Sequence, residues 1–214
     1  MRGRVAHWAL GVVLAVAGAA LVPAPAGASV FLTVDEALEL AFPGCRVERE
    51  TLYLTEAQLA EARERAGEAV ESAVVHPYVG WCDGRAAGVA YFDTHRVRTL
   101  PETLMVVATP EGEVERIEIL VFREPTEYIP RDAWYEQFDG RGLDPELEIK
   151  RGIRPVTGAT LTARATTDAV RRILALHQVA RAEGLLDLDR PPGDREAGTG
   201  PEPDSSRDRG EDEP

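Results

Sequence analysis

The most constraining feature is a tetrapeptide, Pro110-Glu111-Gly112-Glu113, set between two runs rich in Val and Ile at residues 104–109 and 114–122. Pro and Gly here mark a tight reversal. Two strand-like runs this close in sequence can only pair antiparallel, since a parallel pair needs a crossover of a dozen residues or more. In Val114-Glu115-Arg116-Ile117-Glu118-Ile119-Leu120-Val121 the alternation is partial, and the pair reads as a hairpin with one buried and one wet face. Asp83-Gly84 marks an earlier turn between residues 74–81 and 87–92, of similar composition. The expected fold is α+β: an antiparallel sheet of about four strands, with flanking helices on one face.

Helices bracket these strands. Thr33-Val34-Asp35-Glu36 and Thr55-Glu56-Ala57-Gln58 are both capping boxes, in which the N-cap hydroxyl and the N3 side chain each satisfy an orphan backbone N–H. The first opens a short helix that Pro43-Gly44 stops. The second opens a longer charged one, expected over residues 56–72. A final helix is expected over 162–183, where Ala165, Ala169, Ile173, Leu176 and Ala180 recur at helical spacing and Gly184 supplies the stop. Between the last strand and this helix lies a long polar stretch, 124–153, holding Tyr128, Trp134, Tyr135 and Phe138. Connections this long are often functional, although packing under the loop is the commoner fate of such aromatics.

The two ends read differently. Residues 1–28 have the form of a secretory signal: Arg2 and Arg4, an apolar run from Trp8 to Val22, then Ala26-Gly27-Ala28 as a cleavage site. At about 15 residues the run falls short of the roughly 20 that span a bilayer, so cleavage is expected, with an uncleaved anchor as the alternative. Residues 189–214 have no aromatic or branched aliphatic side chain and are expected to be a disordered acidic tail. Residues 29–83 then form an N-terminal helical part, and 84–184 the main part of the domain. The net charge is -13. That excess of acid argues against nucleic acid as a partner, which needs a basic face. Cys45 and Cys82 form no CxxC, and their spacing leaves a bridge and two separate thiols both open.

The segment with chemical promise is Thr157-Gly158-Ala159-Thr160-Leu161-Thr162, at the mouth of the final helix. Helix N-termini offer free N–H groups and a partial positive charge to a phosphate. Gly158 allows close backbone approach, and Thr160 and Thr162 bring hydroxyls. The same residues also make an ordinary turn and N-cap. His76, His95 and His177 read as isolated, and a hydrolase built on Asp93 and His95 lacks the Gly-x-Ser-x-Gly elbow.

This segment resembles the flavinylation motif, Ser-Gly-Ala-Thr/Ser-x-Thr, of the FMN-binding domain family. The C subunit of sodium-translocating NADH:quinone reductase and the G subunit of Rnf complexes belong to that family. The similarity extends over about 84–177, with Glu102-Thr103-Leu104-Met105-Val106-Val107 through Glu124-Pro125 looking like the family's strand pair and Glu-containing turn. The resemblance implies covalent FMN on Thr162, with Thr160, Gly158 and Ala159 matching the motif and Thr157 standing for its Ser. It implies that Glu124 contacts the flavin ring or its neighbours. Arg154 stands where many members carry an acid, and would bring a cation near the phosphate. A separate flavin transferase would attach the FMN, and membrane or periplasmic redox proteins would exchange electrons with it. The function implied is an extracytoplasmic electron carrier. The alternatives are an FMN-free binding or assembly domain of a membrane redox complex, and a flavin-dependent reductase.

Overall fold

The computed structural model describes residues 29–189 and Pro191. The expected signal, and all but Asp189 and Pro191 of the expected tail, lie outside the described residues. The elements run in the order β1 (Ser29–Val30), α1 (Val34–Ala41), β2 (Arg46–Arg49), β3 (Leu52–Tyr53), α2 (Glu56–Ala66), β4 (Val74–Val75), β5 (Tyr78–Cys82), β6 (Arg85–Arg96), β7 (Pro101–Ala108), β8 (Val114–Phe122), α3 (Asp132–Tyr135) and α4 (Thr160–Ala182).

The fold is α+β, with six antiparallel strands in the order β1-β8-β7-β6-β5-β2, and β3 and β4 as a separate ribbon. Four strands were expected. The extra pair, β1 and β2, are short edge strands whose residues carry no alternation long enough to read. The predicted strand at 74–81 is broken at His76-Pro77, so that Val74–Val75 pairs with β3 and Tyr78–Cys82 joins the sheet. The 83/84 boundary falls in the β5–β6 turn, where Asp83 and Gly84 have φ of 52° and 75°.

Helices cover both faces, not one. α1 packs Ala37, Leu38 and Phe42 on Ala90, Met105, Val107 and Leu120. On the other face, Leu59 and Ala62 of α2 and Val170, Ile173 and Leu174 of α4 join Val89, Tyr91, Leu104 and Val106. Odd and even residues of β7 therefore enter different cores. This explains the unbroken apolar run Leu104-Met105-Val106-Val107-Ala108, and it corrects the expectation of a wet face on that strand. Phe42 seats its ring against Gly80, where any Cβ would collide with it.

Both capping boxes form. Glu36 N donates to Thr33 Oγ1 at 3.2 Å and Thr33 N to Glu36 Oε2 at 2.8 Å, and Thr55 pairs with Gln58 in the same way. α2 stops at Ala66, not at 72, because Gly67 takes a left-handed φ of 67° and closes its N–H onto Arg63 O. α2 and α4 lie antiparallel, and Arg171 of α4 donates to Ala66 O, at the end of α2, and to Asp144 O and Leu147 O. Cys45 and Cys82 form a disulfide, with Cα atoms 4.8 Å apart, tying the α1–β2 loop to the end of β5. Among the described residues no helix is long and apolar enough to cross a membrane.

Candidate functional site

The loop after β8 delivers the site. It folds as a 3-10 turn at Thr126–Tyr128, then α3, then a second 3-10 turn at Glu136–Phe138. Trp134 and Phe138 enter the core edge-to-face, with ring centroids 5.3 Å apart. The Trp134 indole N–H donates to Arg154 O at 2.7 Å, which fixes the segment leading into residues 157–162. Tyr135 lies edge-on to Trp134, centroids 5.0 Å apart, so three aromatics pack under the loop. Tyr128 instead lines a cavity of about 190 Å³ with Val97, Arg98 and residues 158–162.

Gly158 turns the chain with φ 88°, a conformation a side chain rarely adopts. Ala159 is the N-cap of α4 and offers no side-chain bond to the first turn, so the expected hydroxyl cap is absent. Thr160 opens the helix; it is exposed, and its Oγ1 donates to Val156 O at 2.9 Å. Leu161 projects outward. Thr162 is only 1% exposed, and its hydroxyl donates to Tyr128 O at 2.6 Å. Gly158, Ala159, Thr160 and Thr162 thus meet in one cavity wall, whereas Thr157 is exposed outside it.

Glu124 does not line the cavity. Its Oε1 accepts from Thr99 N (2.6 Å), Leu100 N (2.7 Å) and Thr99 Oγ1 (3.0 Å). Those bonds, the Thr99 and Leu100 amides foremost, hold its carboxyl below the usual range. Glu124 therefore locks the β6–β7 turn, and that turn supplies Arg98 to the cavity. Arg154 is turned elsewhere: its backbone N and its Nε both donate to Gln137 Oε1, at 3.0 and 3.1 Å. The cation at the cavity is Arg98, which no sequence pattern singled out because its place depends on how a turn folds back.

A second polar group lies under the first half of α4. His95 bonds to Asp93 Oδ1 at 2.8 Å and to Glu102 Oε2 at 3.1 Å, and Asp93 also pairs with Arg172 at 3.0 Å. Burial disfavours the imidazolium, but the two carboxylates outweigh burial and lift its pKa to about 9. Burial likewise opposes ionisation of Asp93, but His95 and Arg172 hold its carboxyl below the ordinary value. Both imidazole nitrogens are engaged by carboxylates, so neither is left to activate a nucleophile, and the arrangement is an ion network, not a hydrolase triad. Glu102 is fully buried, although in the sequence it is an acid just ahead of the apolar run 104–108. His177 is structural: it joins Tyr91 Oη (3.1 Å) to Pro110 O (3.4 Å), and burial lowers its pKa.

The donor set at the mouth of α4 fits a phosphate monoester. It has uncapped first-turn N–H groups, a nearby guanidinium and a glycine that leaves open space beside the chain. Comparison of the chain with protein families, with curated proteins and with solved structures returns no match.

Proposed function

We propose that the chain is an extracytoplasmic electron-transfer flavoprotein, carrying FMN as a phosphoester on a threonine at the mouth of α4. The observation that carries the reading is the motif's position. Gly158, Ala159 and Thr160 line a cavity at an uncapped helix N-terminus, with Arg98 across from them. The resemblance assigns the FMN to Thr162, but burial favours Thr160 as the acceptor. Each hydroxyl donates to a backbone carbonyl, Thr160 to Val156 O and Thr162 to Tyr128 O, but Thr160 is exposed at the surface and Thr162 is buried. Thr162 then serves to hold Tyr128 and the loop against α4.

Bound FMN would supply the redox chemistry, through a ring that accepts and returns electrons. The protein's residues hold and orient. The first-turn N–H groups of α4 and Arg98 would carry the phosphate charge, and Glu124 keeps the turn bearing Arg98 in place. The threonine hydroxyl is a substrate group for a separate transferase, so this chain needs no base of its own. Export is supported by the signal-like residues 1–28 and by the Cys45–Cys82 bridge, which persists in oxidising compartments. Covalent attachment suits such a location, where a dissociated flavin would be lost.

Co-expression with a flavin transferase tests the reading. Intact mass should rise by one FMN phosphoester, peptide mapping should find it on Thr160, and Thr160→Ala should abolish it while Thr162→Ser retains it. Modification on Thr162 would restore the motif-based assignment, and an unmodified mass in a competent host would sink the carrier reading.

A further inference from the structure

A groove of about 710 Å³ is lined by residues 115–119 of β8, five in succession. Successive strand residues point to opposite faces, so a cavity touching five in a row runs along the strand's edge and not over one face. That edge is open. β8 pairs with β7 on one side, and on the other with β1 only at Val121 and Phe122. Leu120 O accepts from Phe31 and Leu32, and Val114 bonds with Gly140 and Arg141. Between these two points no strand or loop bonds to the outward N–H and C=O groups, among the described residues.

The walls of this groove are apolar, exposed on one side and half-buried on the other. Phe31 and Leu40, 49% and 48% exposed, flank it from the α1 side. Ile129 and Tyr135 flank it from the other. Its rim carries Glu118, Asp132, Glu136 and Asp139 against a single cation, Arg116, which already pairs with Glu118, while the Glu115 carboxylate reaches back over the sheet toward Gly88. Unpaired backbone, apolar walls and an acidic rim are what an added strand of opposite charge requires.

We propose that this edge takes up an extended segment of a partner protein, in which apolar residues alternate with lysine or arginine. The main chain of β8 supplies the hydrogen bonds, the walls receive the apolar side chains, and the carboxylates select a basic partner over others. Charge excludes three rival occupants. A second copy would bring the same acids to the contact, and residues 192–214 of this chain are themselves acidic. An anionic lipid surface is repelled for the same reason. The proposal does not depend on flavin.

Amide hydrogen exchange of the exported chain tests it, with a capped peptide of about nine residues alternating valine and lysine, long enough to cover an edge of this length. Exchange should slow by roughly tenfold or more at outward amides of 115–119, and not along β2 at the other edge. High salt should weaken the effect several-fold. The pair Glu118→Lys and Glu136→Lys should abolish it while circular dichroism and the thermal transition stay those of the wild type. The idea is overturned by any of four results: no slowing with the lysine peptide, equal slowing with a glutamate peptide, slowing that appears without peptide as protein concentration rises, or the same protection from anionic vesicles. The wild-type measurement stands by itself should the charge-reversed variant fail to fold.

Discussion

At Glu124 one carboxylate oxygen accepts three hydrogen bonds from Thr99 and Leu100, and the turn so held carries Arg98 to the threonine cavity. Glu124→Ala should release that turn: amide exchange at Thr99 and Leu100 should rise by roughly tenfold or more, with little change in the β7–β8 hairpin. Glu124→Gln retains an acceptor oxygen and should restore part of the protection. If exchange at Thr99 is unchanged in the alanine variant, Glu124 is not what holds the turn. His95 belongs to the same scale. Its folded pKa, about 9, lies above the ordinary 6.5, so the ionised network stabilises the fold fully below pH 6.5 and is lost as pH rises through about 9. Urea midpoints should therefore fall between pH 6.5 and about 9 in the wild type, and the slope should flatten in His95→Gln. An equal slope in both would assign the pH dependence to other groups.

Among the elements, the sharpest dependence is that of β5 on α1. Phe42, at the C-cap of α1, sets its ring against Gly80, and no side chain fits between them. Gly80→Ala should cost about 1–3 kcal/mol by overpacking, read as a lower denaturant midpoint, and Phe42→Leu in the same background should recover part of it. If the two substitutions prove additive, the contact is not the cause. The joint between α2 and α4 rests on Arg171, whose guanidinium meets carbonyls at the end of α2 and in the 144–147 loop. Charged hydrogen bonds of this kind are worth about 1.5–3 kcal/mol each at most, and they fix an angle between helices that small alanine side chains would leave loose. The two capping boxes were legible because their signals are local: a cap is decided within four residues. The stop at Gly67 was not, and the expected helix ran through it to residue 72. β1 and β2 were not, because two to four residues become a strand only when a neighbour's edge supplies the hydrogen bonds.

For the whole molecule, the Cys45–Cys82 bridge spans 37 positions and ties the loop that closes the α1 core to the sheet. The chain-entropy account gives such a closure roughly 4 kcal/mol. Unfolding in reducing buffer should therefore shift the midpoint down by about 2–4 kcal/mol, and Cys45→Ala with Cys82→Ala should reproduce the shift without reductant. No shift would mean the bridge constrains neither state. The sheet is covered by α1 on one face and by α2 and α4 on the other. Its open β8 edge and the mouth of α4 are thus separate places where a partner and a phosphate can reach the backbone.

What the sequence determined by itself was set by short-range chemistry. The Pro110–Glu113 reversal made the central hairpin antiparallel, the Thr33 and Thr55 boxes began their helices, and Gly184 ended the last one. The tertiary structure decided what depends on distance. α1 folded over the second face and turned β7 into a strand buried on both sides. The β6–β7 turn brought Arg98, and not Arg154, to the cavity. The loop carrying Tyr128 covered the Thr162 hydroxyl and left Thr160 in the open. The motif in residues 157–162 singles out Thr162 by position, but it says nothing of which hydroxyl is exposed, because that depends on a loop whose carbonyl lies 34 positions away along the chain.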